Sequence, residues 1–303
     1  MAETRMYWLH ALTPVHVGSG FGLGFIDLPV MREKVTNWPV VPGSAVKGVL
    51  AEDHGASTKE GRDKVPKLRA AFGSGGDENA NAGALVFSDA RLVCLPVRSL
   101  YGTFAWATSK LALQRLKRDL DAAKAGGTLP EPPGETGRAL VAQRSAVASG
   151  NKAYLGDLDF TTDATNADAQ KWAVALSQEL FAHDAAWRTE FQARFIILPN
   201  DSFDYFCETG TEVAAHIKID PDLKTVDKKQ GGLWYEESLP AETILAGLVW
   251  CDRVFGNGVT REDVLVYARA KAESGEIQIG GKATVGKGRV RFVTAAAGRE
   301  AGK

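Results

Sequence analysis

The sequence has few cysteines and no long hydrophobic run. Its three cysteines are far apart, and no two of them form a C-x-x-C pair. An odd number of scattered cysteines argues against a disulfide framework and a zinc ribbon, and it fits a reducing compartment. No stretch approaches the roughly 18 apolar residues of a membrane span, and the first residues lack the apolar segment of a signal peptide. We therefore expect a cytoplasmic protein without a membrane partner.

Net charge is also scarce. The 36 basic and 37 acidic residues leave a formal charge of −1, which argues against a wholly basic nucleic-acid binder. A local basic groove stays compatible with this balance, because net charge does not describe how charges cluster. A globular chain of 303 residues buries roughly 75% of its unfolded surface, so it needs no disulfide or metal to hold its core.

Strand-like and helical segments alternate along the chain without a regular βαβ order. This mixture predicts an α+β protein with a mostly antiparallel sheet. The predicted strands are 6–17, two runs within 84–97, 194–198, 244–251, 276–279 and 290–293, and the predicted helices are 44–50, 106–120, 167–191 and 260–273.

We expect one domain over residues 1–303, with insertions at about 52–82 and 121–153 and a protruding two-stranded arm at about 213–237. The first insertion is polar and ends in a glycine- and asparagine-rich stretch, so it predicts a mobile loop without a helix or strand. The second insertion contains three prolines within four residues and predicts a loop.

The first glycine-rich loop, 18–24, has the start of a dinucleotide-binding motif but not its end. Leu23 occupies the place of the third glycine, and Asp27-Leu-Pro29 follows where the motif needs a helix. Without a helix N-terminus the loop lacks the group that holds a pyrophosphate. We interpret it as a flexible connection between strands, and a close approach of its backbone to a phosphate stays open.

The second glycine-rich loop, 281–287, has the G-x-x-x-x-G-K spacing of a Walker loop. Position 288 is glycine where serine or threonine would bind magnesium, and a strand follows instead of a helix, which argues against an NTPase. The loop has several cations and no acid between Glu276 and Glu300, a pattern that suits an extended polyanion. The alternative is a tight strand connection with a solvated basic face. The cations are Lys282, Lys287, Arg289 and Arg291.

Ser44 and Lys47 have the spacing of the serine β-lactamase pair, but the S-D-N and K-T-G partners are absent. Ser44 instead predicts the N-cap of a helix. The free N–H groups of that first turn, the helix dipole and the Lys47 ammonium would then converge on an anion.

Two single residues stand out near the first glycine loop. His16 follows a predicted strand and precedes the loop, where it could contact a ligand, whereas the five histidines form no paired metal spacing. Asp27 lies after the glycines and before a proline, a place where a loop can present one carboxylate. One carboxylate does not build a two-metal site, so no metal ligand set is assigned and Asp27 is the single candidate.

Taken in order, these motifs resemble the RAMP superfamily of CRISPR proteins, and within it the repeated backbone subunit of type III-B (Cmr) effector complexes. The resemblance covers most of the chain. The matching segments are His10-Ala-Leu-Thr-Pro-Val-His-Val-Gly-Ser-Gly20, Ile26-Asp-Leu-Pro-Val-Met-Arg-Glu33, Pro39-Val-Val-Pro-Gly-Ser-Ala-Val-Lys-Gly48, Phe87-Ser-Asp-Ala-Arg-Leu92, Leu95-Pro-Val-Arg-Ser99, Leu233-Trp-Tyr-Glu-Glu-Ser-Leu-Pro240 and Ile279-Gly-Gly-Lys-Ala-Thr-Val-Gly-Lys-Gly288.

The resemblance implies an RRM-like, ferredoxin-like palm with a β-hairpin thumb, which would be the arm at 213–237. It implies guide RNA (crRNA) and single-stranded target RNA as ligands, with further copies of the chain and other effector subunits as partners in antiviral defence. The thumb would wedge into the guide–target duplex, and Leu223 and Val226 are candidates for its tip. The implied guide contacts are His16, Ser44, Lys47, Gly280, Gly281, Lys282, Gly286, Lys287, Gly288 and Arg289.

Asp27 occupies the family's position for the acid that cuts target RNA. The resemblance therefore implies an endoribonuclease that works by attack of a ribose 2′-hydroxyl, with a divalent metal, Mg²⁺ or Mn²⁺, weakly bound and shared with RNA phosphates. Two alternatives stay open. One is a non-catalytic subunit that only binds guide RNA, and the other is a guide-processing endonuclease that acts alone.

Overall fold

The computed structural model describes residues 4–22, 24–75, 80–123, 129–134, 137–219, 232–256 and 258–294. The strands in these ranges are β1 (Thr4–Ala11), β2 (Val40–Val41), β3 (Gly73–Ser74), β4 (Asn81–Ala82), β5 (Leu85–Phe87), β6 (Ala90–Arg98), β7 (Phe104–Ser109), β8 (Ala139–Val141), β9 (Lys152–Leu155), β10 (Leu158–Asp163), β11 (Phe195–Leu198), β12 (Glu212–Ile217), β13 (Leu233–Ser238), β14 (Ile244–Cys251), β15 (Glu276–Gln278) and β16 (Arg289–Thr294). The α-helices are α1 (Gly43–Asp53), α2 (Lys59–Asp63), α3 (Pro66–Phe72), α4 (Lys110–Ala123), α5 (Asp168–Leu180), α6 (Ala185–Arg194), α7 (Asn200–Thr209) and α8 (Arg261–Leu265), and 3₁₀ turns lie at Val266–Ala268 and Ala283–Val285. None of the helices in the described ranges is both long and apolar enough to cross a membrane.

Twelve strands form one sheet in the order β15-β16-β1-β14-β6-β7-β11-β8-β10-β9, with β2 beside β6 and β5 beside β14. The pairs β7–β11 and β8–β10 are parallel, and the other pairs are antiparallel. In the part β16-β1-β14-β6, α1 lies between β1 and β6 in the chain and α8 between β14 and β16, which is the βαββαβ order of a ferredoxin-like unit. The predicted α+β fold with a mostly antiparallel sheet is confirmed.

Both faces of this sheet are buried. Along β1, Tyr7 and Leu9 belong to one core cluster, whereas Met6 and Trp8 belong to the other, as the period of two in a strand requires. Apolar residues of α1, α3 and α8 join the first cluster, and those of α4, α5 and α6 join the second. The apolar spacing that predicted α4 and α5 therefore marks the sides that face the sheet.

The segment 52–82 is not the loop without secondary structure that we expected. The Thr58 side chain accepts a hydrogen bond from Gly61 N–H at the start of α2, and α3 begins at Pro66, a residue favoured in the first helical turn. At the two ends of the glycine-rich stretch, Gly73–Ser74 pairs with Asn81–Ala82 as the short ribbon β3–β4. The polar composition concealed a short apolar run, since α3 buries Leu68, Ala70, Ala71 and Phe72.

Several helix boundaries also differ from the prediction. The predicted helix 106–120 begins only at Lys110, because Trp106 is buried in β7, which pairs in parallel with β11. The predicted helix 167–191 is divided into α5 and α6, since the Asp184 carboxylate accepts a hydrogen bond from Trp187 N–H and starts a new helix. The predicted helix 260–273 is reduced to α8 and one 3₁₀ turn, and α7 was not predicted. The segment 121–153, predicted as a loop, also contains regular structure. α4 continues to Ala123, and β8 is a strand of the large sheet.

β12 and β13 form an antiparallel ribbon apart from the large sheet, with pairs from Glu212–Ser238 to Ile217–Leu233. This ribbon, which we call the thumb ribbon, lies where the sequence predicted the arm. The segment 220–231, with Leu223 and Val226, lies outside the described residues.

Candidate nucleic-acid interface

Residues 17–22 and 24–31 form the two sides of a narrow loop that turns back on itself. Gly18 and Val30 pair in an antiparallel bridge at its base. Near its far end, Gly22 N–H donates a hydrogen bond to the backbone carbonyl of Asp27 at 2.9 Å. Asp27 is therefore held where the loop returns toward the body of the protein.

The returning side of this loop lies along β13 of the thumb ribbon. Leu28 N–H donates to the carbonyl of Tyr235, and Glu237 N–H donates to the carbonyl of Leu28, both at 3.0 Å. The half-buried Asp27 side chain joins this ladder, since its Oδ2 accepts a hydrogen bond from Tyr235 N–H at 2.7 Å. Its other oxygen, Oδ1, has no hydrogen bond to a described residue. One oxygen of the carboxylate is thus fixed by the backbone and the other can accept a proton or a cation.

Glu237 connects the same loop to the thumb ribbon through its buried side chain. Its Oε2 accepts a hydrogen bond from Val30 N–H at 2.9 Å. Its Oε1 accepts from Arg32 Nη2 at 2.5 Å and from Thr211 Oγ1 at 2.8 Å. Because the Glu237 and Arg32 side chains are only 3% and 17% exposed, this ion pair is shielded from water and fixes the position of the loop that carries Asp27.

His16 links the first glycine loop to the second. Its Nδ1 lies 2.6 Å from the backbone carbonyl of Glu237, so Nδ1 is the nitrogen that carries the proton. Its own carbonyl accepts a hydrogen bond from Gly281 N–H at 2.9 Å. A Cβ at Gly280, where φ is +81°, would stand 2.3 Å from that carbonyl oxygen, so only glycine fits this close approach. His16 itself is buried.

The lysines of the second glycine loop form ion pairs with a buried acid of β13. Lys287 Nζ lies 2.7 Å from Glu236 Oε1 and 2.8 Å from Ser238 Oγ, and Lys282 Nζ lies 3.1 Å from Glu236 Oε2. Burial disfavours the charged form of Glu236, but the hydrogen bonds from the two lysines outweigh it and hold the pKa of this carboxyl below its usual value. The loop contains no acid of its own, but the fold places Glu236 of β13 next to it.

The remaining residues of this loop are exposed or bonded to the body of the protein. Gly288 N–H donates to the carbonyl of Pro14 at 2.8 Å. Arg289 Nη2 lies 2.6 Å from Glu276 Oε2 on the neighbouring strand. Gly286 is exposed and has a left-handed backbone, φ +83°. The loop therefore has a fixed shape.

The start of α1 differs from the prediction. The helix begins at Gly43, so the exposed Ser44 lies inside its first turn and is not the N-cap. Gly43 N–H donates to the Asp89 carboxylate at 2.9 Å, so the anion at this helix start belongs to the chain itself. Lys47 donates to the carbonyl of Leu85 at 2.7 Å, and burial together with a nearby arginine lowers the pKa of its ammonium.

The structure thus brings most of the predicted residues together around β13. Asp27, His16 and the second glycine loop all contact this strand, whereas Ser44 is exposed in the first turn of α1 and Lys47 is bonded to β5 of the large sheet. Sequence reasoning did not assign a role to Arg32, Glu236 or Glu237. All three lie in segments that carried the resemblance, and that was the available signal.

No group of three histidine, cysteine, aspartate or glutamate side chains that could hold a metal ion lies within the described part of the chain. The described residues therefore do not fit a resident metal held by the protein alone.

Comparison with known proteins identifies the family of the chain. Residues 8–291 match the RAMP superfamily. The chain is 33% identical over 285 residues to the CRISPR system Cmr endoribonuclease Cmr4 of Pyrococcus furiosus, covering 93% of this chain and 92% of the relative.

Solved structures agree as well. Oligomeric Cmr4 from Pyrococcus furiosus superposes with a TM-score of 0.72 at 27% identity, covering 97% of this chain and 98% of that one. A chain of the type III-B Cmr-beta complex bound to cognate target RNA has a TM-score of 0.72 at 21% identity, covering 96% and 97%, and shares the fold. The chain therefore belongs to the RAMP superfamily and, within it, groups with the Cmr4 proteins.

Proposed function

We propose that the chain is a backbone subunit of a type III-B CRISPR effector complex, which binds guide RNA and cuts the target RNA paired with it. Further copies of the chain and other effector subunits are its partners. The observation that carries the proposal is the Asp27 carboxylate, fixed through one oxygen by Tyr235 N–H and open at the other. It lies in a chain that is 33% identical to an endoribonuclease over nearly all of its length.

The reaction is an internal transfer at phosphorus. The free oxygen of Asp27 accepts the proton of a target ribose 2′-hydroxyl, the 2′-oxygen forms a bond to the adjacent phosphorus, and the bond from phosphorus to the 5′-oxygen breaks. The products are a 2′,3′-cyclic phosphate and a 5′-hydroxyl, whose proton comes from water. This attack needs an in-line arrangement of three atoms, so a nucleotide displaced from the duplex by the thumb ribbon reacts fastest.

Guide RNA follows the second glycine loop in this proposal. Each lysine ammonium has three N–H donors. Lys282 forms an ion pair with Glu236 and its side chain is 36% exposed, so it has donors left for a phosphate. The exposed backbone at Gly280, Gly281 and Gly286 supports a close approach of an RNA strand. His16, Ser44, Lys47, Lys287, Gly288 and Arg289 extend this candidate path.

A divalent cation would have Asp27 as its candidate ligand from the chain and would be bound weakly, because the described residues do not form a cage of their own. When bound, such an ion would stabilise the charge that develops on the phosphate. Magnesium or manganese would serve, since both prefer oxygen ligands.

Cleavage by the assembled complex tests the proposal. Reconstituted complex with guide RNA is expected to cut a complementary target at regular intervals, and addition of a chelator is expected to slow the cutting. A complex that binds the target and leaves it intact, with and without magnesium, would support the non-catalytic alternative. Trimming of precursor guide RNA by the isolated chain would support the guide-processing alternative.

A further inference from the structure

Two aromatic side chains beside Asp27 lie almost wholly in solvent. Phe25 is 100% exposed and Phe21 is 89% exposed. A large apolar ring in water loses the favourable free energy of burial that it would gain against another surface. Single exposed apolar residues are common, but here two phenylalanines occupy one short loop next to a candidate catalytic acid.

The backbone of the loop places both phenylalanines at one tight turn that ends at Asp27. The hydrogen bond from Gly22 N–H to the carbonyl of Asp27 closes a turn that has Phe21 immediately before it and Phe25 inside it. A Cβ at Gly22 would stand 2.4 Å from the carbonyl oxygen of Ile26, so glycine is required for this tight turn. The base of the loop is fixed in turn by the bridge of Gly18 and Val30 and by the buried Arg32–Glu237 ion pair.

The chemistry of the loop fits a nucleobase better than a phosphate. Residues 18–26 include no charged side chain, so the loop offers no cation to a phosphate. A target strand whose ribose reaches Asp27 also brings its bases within a side chain's length of the loop. Stacking of a base on an aromatic ring is strong and tolerates any base, because every base has an apolar face. That tolerance suits an enzyme whose targets are chosen by pairing with a guide.

We propose that Phe21 and Phe25 form a stacking site for unpaired nucleobases of the target RNA next to the bond that is cut. The site rests on the proposed function, since it takes Asp27 as the acid that receives the reacting ribose. Stacking limits the motion of the displaced nucleotide and so holds its 2′-hydroxyl in line with the phosphate.

Fluorescence of a base analogue tests this site directly. The assembled complex, loaded with guide RNA, is given targets that carry 2-aminopurine at successive positions around the cut, with the cut bond blocked by a 2′-deoxy substitution. Stacking quenches this base, so wild-type complex is expected to quench it next to the cut. Phe21→Ala and Phe25→Ala are expected to lose the quenching and to slow cleavage of an unblocked target by about 5- to 160-fold, the factor that corresponds to the stacking free energy of one base.

Three further variants separate stacking from other contacts. Phe25→Tyr keeps an aromatic face and is expected to behave as wild type, whereas Phe25→Leu keeps apolar surface without that face and is expected to behave as Phe25→Ala. Val35 is 96% exposed in a different turn, so Val35→Ala is a matched control that is expected to change neither readout.

Other outcomes would overturn the stacking site. Unchanged quenching and cleavage in the Phe21→Ala, Phe25→Ala double variant would do so. If the double variant failed to assemble into the complex, or if Phe25→Leu kept wild-type quenching and cleavage, the two rings would pack against another protein surface and not against a base. Asp27→Asn distinguishes this site from the proposed function. An uncut target with full quenching supports both. Full cutting in Asp27→Asn removes the role of Asp27, and the stacking site is then judged by the phenylalanine variants.

Discussion

Lys287 and Glu236, which are 51 positions apart in the chain, form an ion pair of 2.7 Å in which the carboxylate is only 1% exposed. The pair connects the second glycine loop to β13, the strand that also holds Asp27 through Tyr235 N–H. The candidate guide contacts of this loop and the candidate catalytic acid are therefore attached to one strand of the thumb ribbon.

The two lysines of this loop are expected to differ in their effect on RNA binding. Lys282 is 36% exposed and Lys287 is 15% exposed, and Lys287 already donates to both Glu236 and Ser238. Lys282→Ala is expected to weaken guide binding similarly for all RNA sequences and to reduce the slope of log affinity against log salt by about 1. Lys287→Ala is expected mainly to lower the melting temperature, because it removes a partner from a buried carboxylate. Binding titrations at several salt concentrations and thermal melts of both variants measure these effects, and the reverse assignment would contradict the ion pairs described here.

Glu236 should make stability depend on pH in the acid range. The pKa of its carboxyl is lowered in the folded chain, so the unfolded chain takes up a proton at a higher pH than the folded chain does. Its contribution to stability is fully present above the unfolded pKa of about 4.3 and is lost as the pH falls through the lower folded value. Glu236→Gln is therefore expected to give a shallower fall in the free energy of unfolding between about pH 5 and pH 3. Urea denaturation at each pH measures this, and parallel curves for the two proteins would refute it.

The contacts of β13 show which parts of the site the sequence could predict. His16, Asp27 and the second glycine loop lie in compact motifs, where a loop after a strand presents its residues to a ligand, and the structure gathers them. The partners of those residues could not be predicted from the sequence in this way. Glu236 and Glu237 come from a strand that lies at least 40 positions from either loop, and no local spacing connects them.

The elements that were predicted wrongly share the same cause. Trp106 fits a helical pattern locally, but a parallel pairing with a strand about 90 residues later makes it part of a sheet. Ser44 has the chemistry of an N-cap, but the Asp89 carboxylate reaches the same helix start from another strand end and satisfies Gly43 N–H. Local propensity cannot anticipate a partner that only the tertiary fold brings near.

Arg32 and Glu237 are expected to be coupled energetically. Each of Arg32→Gln and Glu237→Gln leaves a buried charge without its partner, so each is expected to lower the free energy of unfolding by about 3 kcal/mol. The double variant is expected to cost less than the sum, with a coupling energy of about 0.5–3 kcal/mol, measured by urea denaturation. Asp159→Asn breaks the exposed ion pair with Lys152 and serves as a control that should change stability little. Simple additivity would show that the Arg32–Glu237 pair does not fix the loop.

The thumb ribbon is expected to be stable at its root and labile farther out when RNA is absent. Tyr235 N–H and Glu237 N–H are bonded to the Asp27 loop, which acts as a third strand beside β13. Ile217 and Lys218 belong to a two-stranded part, and such a ribbon is marginally stable in water. Hydrogen exchange of the free chain should therefore protect Tyr235 and Glu237 far more than Lys218, and guide and target RNA should raise the protection of Lys218. Equally strong protection of all of these amides in the free chain would be incompatible with this view.

Asp27→Asn separates the chemical role of this residue from its structural role. An asparagine oxygen can still accept the hydrogen bond from Tyr235 N–H, so the loop should keep its position, and the melting temperature and complex assembly should change little. The amide cannot accept a proton from a 2′-hydroxyl, so single-turnover cleavage should fall by about two or more orders of magnitude. Binding of guide and target should hold, because a carboxylate near phosphates contributes repulsion unless a cation lies between them.

Asp27→Ala is the comparison that makes this test sharp, because it also removes the acceptor for Tyr235 N–H. It should therefore lower both stability and cleavage, whereas Asp27→Asn should lower cleavage alone. If the two variants lost cleavage only in proportion to their loss of stability, Asp27 would be a structural residue of its loop. Full cutting by Asp27→Asn would leave the chain as a passive guide-binding subunit.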